Sequence, residues 1–287
     1  MLKVAGMARS TYYYRLNSPQ DKYAEIKVRL RNLFHKHKGR YGYRRLTAAL
    51  RNEDIIVNHK TVRKLMKQEN LVCKIRQKRK WISKPSPELA ASPNILNRKF
   101  KAEKPFTKGV TDVTEFYVRK QKVYVSAILD LYDGSLISMV FSQKNNTDLV
   151  MSMFEDMPKK VLKQLDNMLL HSDQGILYRT VRYHDFVRQH NITQSMSHRG
   201  NCYDNALMES FFGTFKVETI KLEPVNSLEE LTQMLKEYGE YYNKHRIKST
   251  LGYKSPYQYR RENGFWVHFR AYQASCLESL PSLRPLK

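Results

Sequence analysis

Met168-Leu169-Leu170-His171-Ser172-Asp173-Gln174-Gly175 is the stretch of sequence around which the fold is organised. Its leading apolar residues predict a short buried strand, and its glycine predicts the turn that ends the strand. Another carboxylate, Asp112, opens an alternating apolar run that predicts a strand hairpin turned at residues 119–122. If the two strands are neighbours in one sheet, about 4.8 Å apart, the carboxylates of Asp112 and Asp173 can share one divalent cation.

A third carboxylate, Glu209, follows Asp173 after an interval of 35 residues and lies in a helix predicted over about residues 204–221. At 3.6 residues per turn, Glu209 and Lys216 project on the same side of this helix. The opposite stripe, predicted to pack on the sheet, consists of Leu207, Phe211 and Phe215. A carboxylate and a cation on one face suit a phosphodiester lying along the helix. A solvated polar face is the alternative interpretation.

The pattern after residue 106 is typical of a mixed α/β sheet flanked by helices. It predicts strands at 110–118, 122–131, 135–142, 168–172 and 192–196, and helices at 147–163, 179–190, 204–221 and 228–243. The first three strands follow one another through turns, which predicts antiparallel pairing. The later strands alternate with helices, which predicts that they extend the same sheet.

The first third of the chain is strongly basic. Residues 1–105 contain 27 basic and 7 acidic residues, so +20 of the net charge of +24 lies there. Positive charge at this density attracts a polyanion, and nucleic acid is the partner that it predicts. A solvated surface that keeps the protein in solution is the alternative.

Short helices are predicted in this basic region, over residues 21–34, after Gly42, and over 58–68 with Asn58 as N-cap. Residues 1–16 have the outline of a helix-turn-helix motif whose first part is missing. The last helix turns its basic side chains outward, which favours phosphate binding over base recognition. The side chains assigned to DNA affinity on this helix are Lys60, Arg63, Lys64 and Lys67.

The division of the chain follows from these patterns. We predict a basic helical DNA-binding region over 1–82, a basic proline-containing linker over 83–104, and a catalytic domain over 105–262. Residues 263–287 show no periodicity, a pattern typical of a disordered tail. Near the linker, the candidate DNA contacts are Arg76, Arg79 and Lys80, with Trp81 available for stacking.

Composition argues against several classes of protein. The chain has no run of 18 apolar residues and no signal peptide, which predicts a cytoplasmic protein without a membrane span. Its three cysteines are far apart, which argues against a disulfide framework. His35 and His37 with Cys73 lack the second cysteine of a C-x-x-C pair, so a zinc site is not expected there.

Five motifs carry a resemblance to a known family. They are Thr111-Asp112-Val113-Thr114-Glu115-Phe116, Leu129-Asp130-Leu131-Tyr132, His171-Ser172-Asp173-Gln174-Gly175, Arg199-Gly200-Asn201-Cys202-Tyr203-Asp204-Asn205-Ala206 and Leu251-Gly252-Tyr253-Lys254-Ser255-Pro256. Together they resemble the second-frame (OrfB) product of IS-three-family insertion-sequence transposases, over residues 2–261. These transposases are DDE recombinases, which are similar to retroviral integrases.

The resemblance implies a ribonuclease-H-like catalytic core preceded by a small all-α helix-turn-helix-type module. It implies that Asp112, Asp173 and Glu209 are catalytic and hold two Mg²⁺ ions, which Mn²⁺ can replace. It identifies Lys216 as the basic residue seven positions past the glutamate. The expected reaction is cleavage of transposon-end DNA and 3′-hydroxyl strand transfer. The loop residues expected to reach the substrate strand are His198, Arg199 and Asn201.

The same resemblance implies the partners of the chain. They are double-stranded DNA, as terminal inverted repeats and as target, an upstream-frame segment joined by frameshifting, and further copies of the chain assembled on DNA at the nucleoid. One departure is visible, since family members usually have Trp where Gly109 stands. Two other functions remain open: a DNA-binding regulator with an inactive ribonuclease-H-like domain, and a structure-specific nuclease.

Overall fold

The computed structural model describes residues 21–73, 91–155, 157–198 and 202–265. The chain divides into two compact units between Lys74 and Ile75. Several sequence predictions fall outside the described residues: the motif at 1–16, Arg76, Arg79, Lys80, Trp81, Arg199, Asn201 and the tail from residue 266. Within the described ranges, no helix is long and apolar enough to cross a membrane.

The first unit contains three helices: α1 (Ala24–Lys36), α2 (Tyr43–Arg51) and α3 (His59–Gln68). Each turns an apolar face inward, and the buried side chains include Leu30, Leu33, Leu46, Leu50, Val62 and Leu65. The predicted N-cap of α3 is confirmed, because the Oδ1 atom of Asn58 accepts a hydrogen bond from the backbone N–H of Lys60 at 2.9 Å.

The second unit is built on a five-stranded mixed sheet in the order β3-β2-β1-β4-β5. Its strands are β1 (Lys108–Val118), β2 (Gln121–Asp130), β3 (Leu136–Ser142), β4 (Leu169–Ser172) and β5 (Thr193–Met196). The first three strands are antiparallel, and β4 and β5 run parallel to β1. The predicted mixed sheet is therefore confirmed.

Helices cover this sheet. They are α4 (Thr147–Glu155), α5 (Lys159–Gln164), α6 (Val181–Gln189), α7 (Ala206–Glu218), α8 (Leu228–Lys244) and α9 (Pro256–Glu262), with 3₁₀ turns at Ile176–Arg179, Cys202–Asn205 and Ser249–Leu251. One apolar cluster joins the sheet to α7 and α8, and the other joins it to α4 and α6. Between these two clusters the sheet is buried on both faces, as a parallel segment requires.

Two predictions about these helices are wrong. The single helix expected over 147–163 is interrupted at Pro158, which has no N–H to donate and begins a new helix instead. The face of α7 that meets the sheet is also rotated from the predicted stripe. Leu207 is 39 % exposed, whereas Phe212 is 4 % exposed and packs in the core with Phe211 and Phe215.

Gly109 on β1 leaves a space that Met168 fills. A Cβ atom at Gly109 would lie 2.2 Å from the Cε atom of Met168 and 3.1 Å from the carbonyl oxygen of Leu129. Met168 is fully buried, so its methyl group occupies the volume that a side chain at position 109 would need. An aromatic residue at this position therefore has no room unless Met168 moves.

Gly109→Ala is expected to lower the free energy of unfolding by about 1–3 kcal/mol, because the new methyl group overlaps a packed neighbour. Met168→Ala alone should cost about 2–5 kcal/mol through the cavity that it leaves. The double variant should lose about 1 kcal/mol less than the sum of the two single losses, because removal of the Met168 side chain makes room for the new methyl group. Urea unfolding of the four proteins measures this coupling, and strict additivity would show that Met168 does not fill the space.

Residues 91–104, in the stretch predicted as a linker, lie against β5 and the start of α7. The backbone N–H of Met196 on β5 donates to the carbonyl oxygen of Pro93 at 3.3 Å. Leu96 is 1 % exposed and belongs to the core cluster under α7 and α8. We call residues 92–98 the strap. The strap has no regular secondary structure of its own, and its conformation is held by contacts with the sheet.

Candidate active site

Asp112 lies on β1, and Asp173 directly follows the neighbouring strand β4. The parallel register of β1 and β4 pairs Val110 with His171. Asp112 stands two residues further along β1, and Asp173 directly follows the end of β4, so the two residues lie at the same edge of the sheet. The predicted adjacency of these two strands is confirmed.

The charges around Asp112 show that three carboxylates and one lysine share this part of the surface. Burial raises the pKa of Asp112 well above its usual range, and the charges of Asp173 and, to a lesser degree, Glu209 raise it further. The ammonium group of Lys216 acts in the opposite direction on the same pKa. Like charges held together in this way repel one another, which favours a cation between them.

Asp173 has a polar backbone partner of its own. Asp173 is partly exposed to solvent, and the burial of the rest of the residue raises the pKa of its carboxylate. The N–H of Gly175 donates to its Oδ1 atom at 2.8 Å and, with the charge of Arg179, partly offsets that rise in pKa. The Gly-containing turn therefore fixes the orientation of the carboxylate at the end of β4.

Glu209 and Lys216 both lie on α7, which packs on β1. Glu209 is half-buried in the first turn of the helix. The Nζ atom of Lys216 donates to the backbone carbonyl oxygen of Glu115 on β1 at 2.7 Å. Glu115 is three residues beyond Asp112, so the ammonium group is anchored to the strand that carries the first carboxylate. This hydrogen bond holds a positive charge beside the carboxylates at a fixed position.

The donor chemistry of this site fits a divalent cation. Carboxylate oxygens are the ligands that Mg²⁺ prefers, and a cation would remove the repulsion that raises the pKa of Asp112. Over the described ranges, no three His, Cys, Asp or Glu side chains already form a metal-binding group.

His171, two residues before Asp173, is held neutral in a buried hydrogen-bond network. The Oγ atom of Ser195 accepts from the backbone N–H groups of Ile95 and Leu96, both at 3.0 Å. Its single proton therefore points to the Nδ1 atom of His171 at 2.9 Å, which places the imidazole proton on Nε2. Nε2 donates in turn to the Oγ atom of Ser197 at 3.1 Å. Burial lowers the pKa of His171 to about 4, in agreement with a neutral ring.

Asp204 is a buried acceptor immediately before α7 that sequence reasoning did not single out. It is 1 % exposed and accepts hydrogen bonds from Asn94 Nδ2 at 2.9 Å, Arg98 Nε at 2.8 Å and the backbone N–H of His198 at 3.1 Å. Burial acts to raise its pKa, and the donated hydrogen bonds, that of Arg98 first, lower the pKa below the usual value. Three Asx residues between positions 201 and 205 were the sequence signal for such a node. His198 itself is exposed.

The first unit separates its basic residues into two groups. Three cations of α1 are paired with acids: Lys27 with Asp21 at 2.7 Å, Arg31 with Glu69 at 3.3 Å, and Arg29 with Glu53. The four outward cations of α3 make no ion pair among residues 21–73, and all four are exposed: Lys60, Arg63, Lys64 and Lys67. The outer face of α3 is therefore a surface of four exposed cations with no acidic partner among the described residues of this unit.

Comparison with known proteins identifies two kinds of domain in this chain. A model of an HTH-like domain matches residues 20–79, and two models of the integrase core domain match residues 102–202 and 190–256. The chain is 42 % identical over 267 residues to the putative transposase InsK of insertion sequence element IS150 from Escherichia coli K12, covering 91 % of this chain and 93 % of that protein. The chain belongs to the insertion-sequence transposases.

Transposase InsF of insertion sequence IS3A, also from Escherichia coli K12, is 31 % identical over 270 residues, which covers 92 % of this chain and 93 % of InsF. The family resemblance to IS-three transposases is thereby confirmed. A solved structure of the HTLV-2 integrase catalytic core domain in complex with magnesium aligns with 54 % of this chain and 95 % of its own, at 16 % identity and a TM-score of 0.40. A similarity of that size supports no argument about this transposase.

Family membership decides between the functions left open by the sequence. The chain is a DNA transposase, an enzyme of the polynucleotidyl transferase type with an integrase core and an HTH-like DNA-binding domain. The two alternatives, an inactive regulator and a structure-specific nuclease, are not favoured. The integrase core family depends on divalent metal ions.

Proposed function

We propose that Asp112, Asp173 and Glu209 are the catalytic and metal-binding residues of this transposase. The observation that supports the proposal is that one β-register brings the two aspartates together while the charge of Glu209 acts on Asp112. We further propose two Mg²⁺ ions as cofactors, replaceable by Mn²⁺. When bound, they supply the charge that stabilises the attacking and leaving oxygens of an in-line substitution at phosphorus.

The substrate that we propose is the terminal inverted repeat of the insertion sequence, cleaved to a 3′-hydroxyl that is then joined to target DNA. Lys216 cannot ligate a metal ion, and its anchored ammonium group instead holds a backbone phosphate of the DNA end beside the carboxylates. The Asp173 carboxylate is kept in place by the Gly175 N–H during this step. The protein contributes position and charge, and no covalent intermediate is needed.

DNA is held, in this proposal, by the outer face of α3 in the first unit. Charges already paired with acids on α1 have little to gain from phosphates, whereas the unpaired charges of α3 release counterions when DNA binds. Arg76, Arg79, Lys80, Arg199 and Asn201, together with the exposed His198, extend the proposed DNA contacts. An upstream-frame segment, further copies of the chain on DNA, and a cytoplasmic, nucleoid-associated location complete the proposal.

Lys64→Ala/Lys67→Ala should weaken DNA binding and reduce the slope of log affinity against log salt by about 2, since each lysine neutralises one phosphate. Arg29→Ala/Arg31→Ala is the matched control, because it removes the same charge from cations that Glu53 and Glu69 already neutralise. Its salt slope should stay close to that of the wild type. Fluorescence anisotropy with a labelled duplex at several salt concentrations measures both, and equal slopes for the two variants would contradict the assignment of α3.

The decisive test of the activity uses a labelled terminal-repeat duplex and the full-length protein with Mg²⁺. Nicking at the 3′ end of the repeat, followed by joining of that end to a second duplex, is the expected result. A repeat with altered terminal bases is the control and should be cut more slowly. Binding without nicking in both Mg²⁺ and Mn²⁺ would contradict the proposed reaction.

A further inference from the structure

The strap contacts the structural supports of two of the three carboxylates. It comes after the basic first region of the chain and before β1, and its side chains and backbone bond to partners about a hundred residues away. One of these partners is Ser195 on β5, and another is Asp204 before α7. Neither hydrogen bond involves Asp112, Asp173 or Glu209 directly, so any effect of the strap on the carboxylates passes through Ser195 and Asp204.

The first contact connects the strap to the end of β4. The Oγ atom of Ser195 accepts hydrogen bonds from the backbone N–H groups of Ile95 and Leu96. It donates a hydrogen bond to the Nδ1 atom of His171. From His171 the network continues to Ser197, whose Oγ atom donates to the backbone carbonyl oxygen of Ser172 at 3.3 Å. Ser172 directly precedes Asp173. An uninterrupted chain of hydrogen bonds therefore runs from the strap backbone to the strand end that presents Asp173.

The second contact fixes the start of the helix that carries Glu209. The N-cap position of α7 is Asn205, whose side chain makes no capping hydrogen bond. Asp204, one residue earlier, instead receives the side chains of Asn94 and Arg98. Glu209 lies in the first turn of α7, which begins two residues after Asp204. A shift at Asp204 is therefore transmitted directly to Glu209.

We propose that the strap is a positioning element of the active site, with Arg98 and Asn94 acting on Glu209 through Asp204, and with the Ile95–Leu96 backbone acting on Asp173 through Ser195 and His171. This inference depends on the proposed roles of Glu209 and Asp173. A buried carboxylate that loses its donors moves toward water or other partners, because an unpaired buried charge is costly. The strap keeps Asp204 buried and thereby keeps α7 in register with the sheet.

Arg98→Ala tests the proposal in the full-length protein, with Lys99→Ala as matched control. Both changes remove one exposed positive charge from adjacent positions, and Arg98 is the one that bonds to Asp204. Arg98→Ala should slow single-turnover nicking by about 10-fold or more, because small misplacements of reacting groups lower the reaction rate strongly. It should also raise the Mg²⁺ concentration for half-maximal rate and leave DNA affinity within about 2-fold of the control. Arg98→Lys should recover part of the rate.

Amide hydrogen exchange gives a readout that does not depend on activity. Arg98→Ala should speed exchange over residues 204–212 relative to Lys99→Ala, while the strands of the sheet stay protected. Equal nicking rates or equal exchange in the two variants would overturn the proposal. A uniform increase in exchange, with a Mg²⁺ requirement equal to the control, would also overturn it by showing a role in stability alone. If the wild type does not nick the repeat, the proposed function fails, and the exchange comparison still decides the role of the strap.

Discussion

Asp112→Asn, Asp173→Asn and Glu209→Gln should each slow cleavage of the terminal repeat by about 10³-fold or more, because a neutral amide cannot replace an anionic metal ligand. DNA affinity should stay within about 3-fold of the wild type, since most of the positive charge lies outside this site. Single-turnover nicking and anisotropy with the same labelled duplex measure the two quantities. Near-normal cleavage by any one of the variants would remove that residue from the proposed site.

Glu115→Gln is the matched control for these substitutions. Glu115 is an acidic residue on β1, three positions from Asp112, and its carboxylate forms an ion pair with Lys122 at 2.9 Å on the surface. Lys216 uses the backbone carbonyl of Glu115, which the substitution keeps. Exposed ion pairs contribute about 0–1 kcal/mol, so Glu115→Gln should cleave the repeat at the wild-type rate.

The melting temperature of Asp112→Asn shows whether this variant is folded. Burial and Asp173 raise the pKa of Asp112, so the folded protein disfavours the ionised carboxylate. The resulting cost in stability is absent below the ordinary pKa and grows as the pH rises above it. At neutral pH and without metal, Asp112→Asn should therefore melt at the wild-type temperature or a few degrees above it. A large drop in melting temperature would mean that lost activity reflects unfolding.

The strands that carry or precede Asp112 and Asp173 could be predicted because their signals are local. An alternating run predicts β1 and β2, and a short apolar run before Asp173 predicts β4. The pairing of β1 with β4 was only a condition in the sequence analysis, because a single sequence does not contain it, and the structure shows it. The break at Pro158 also had a local signal, and the prediction of one helix over 147–163 overlooked it.

The supports of the site could not be predicted in the same way. The bond between Asn94 and Asp204 joins residues 110 positions apart, and no periodicity within either segment encodes it. The strap also lacks regular structure, so nothing in its sequence distinguishes it from a linker. For α7, the apolar residues occupy more than one stripe, and tertiary packing chose the face with Phe212 over the face with Leu207.

Arg260→Met should lower the free energy of unfolding by about 3–5 kcal/mol, because it removes one partner of a buried ion pair. Arg260 lies on α9 and is 1 % exposed. Its Nη2 atom donates to Asp130 at 2.7 Å and to Ser135 Oγ at 2.6 Å, and its Nε atom donates to Asp133 at 2.5 Å. Without the guanidinium group, two buried carboxylates face each other with no compensating charge.

The neighbouring Arg261→Met is the matched control, because Arg261 is exposed on the same helix and should be close to neutral in stability. Adding Asp130→Asn and Asp133→Asn to Arg260→Met should restore part of the loss, since the uncompensated charges are then gone. Chemical unfolding of the single, control and triple variants measures the recovery. A triple variant no more stable than Arg260→Met would show that packing of the arginine, and not its charge, holds α9 in place.

The pH dependence of the Arg260→Met defect tests the same cause independently. Burial already raises the pKa of Asp130 in the wild type, and Arg260 and the hydrogen bonds from Tyr132 and Phe106 oppose that rise. In the variant the pKa of Asp130 must rise further, so its ionised form costs stability at neutral pH and not below its ordinary pKa. The stability difference from wild type should therefore shrink as the pH falls from 7 towards about 4. A difference that stays constant over this range would exclude the buried carboxylate as its source.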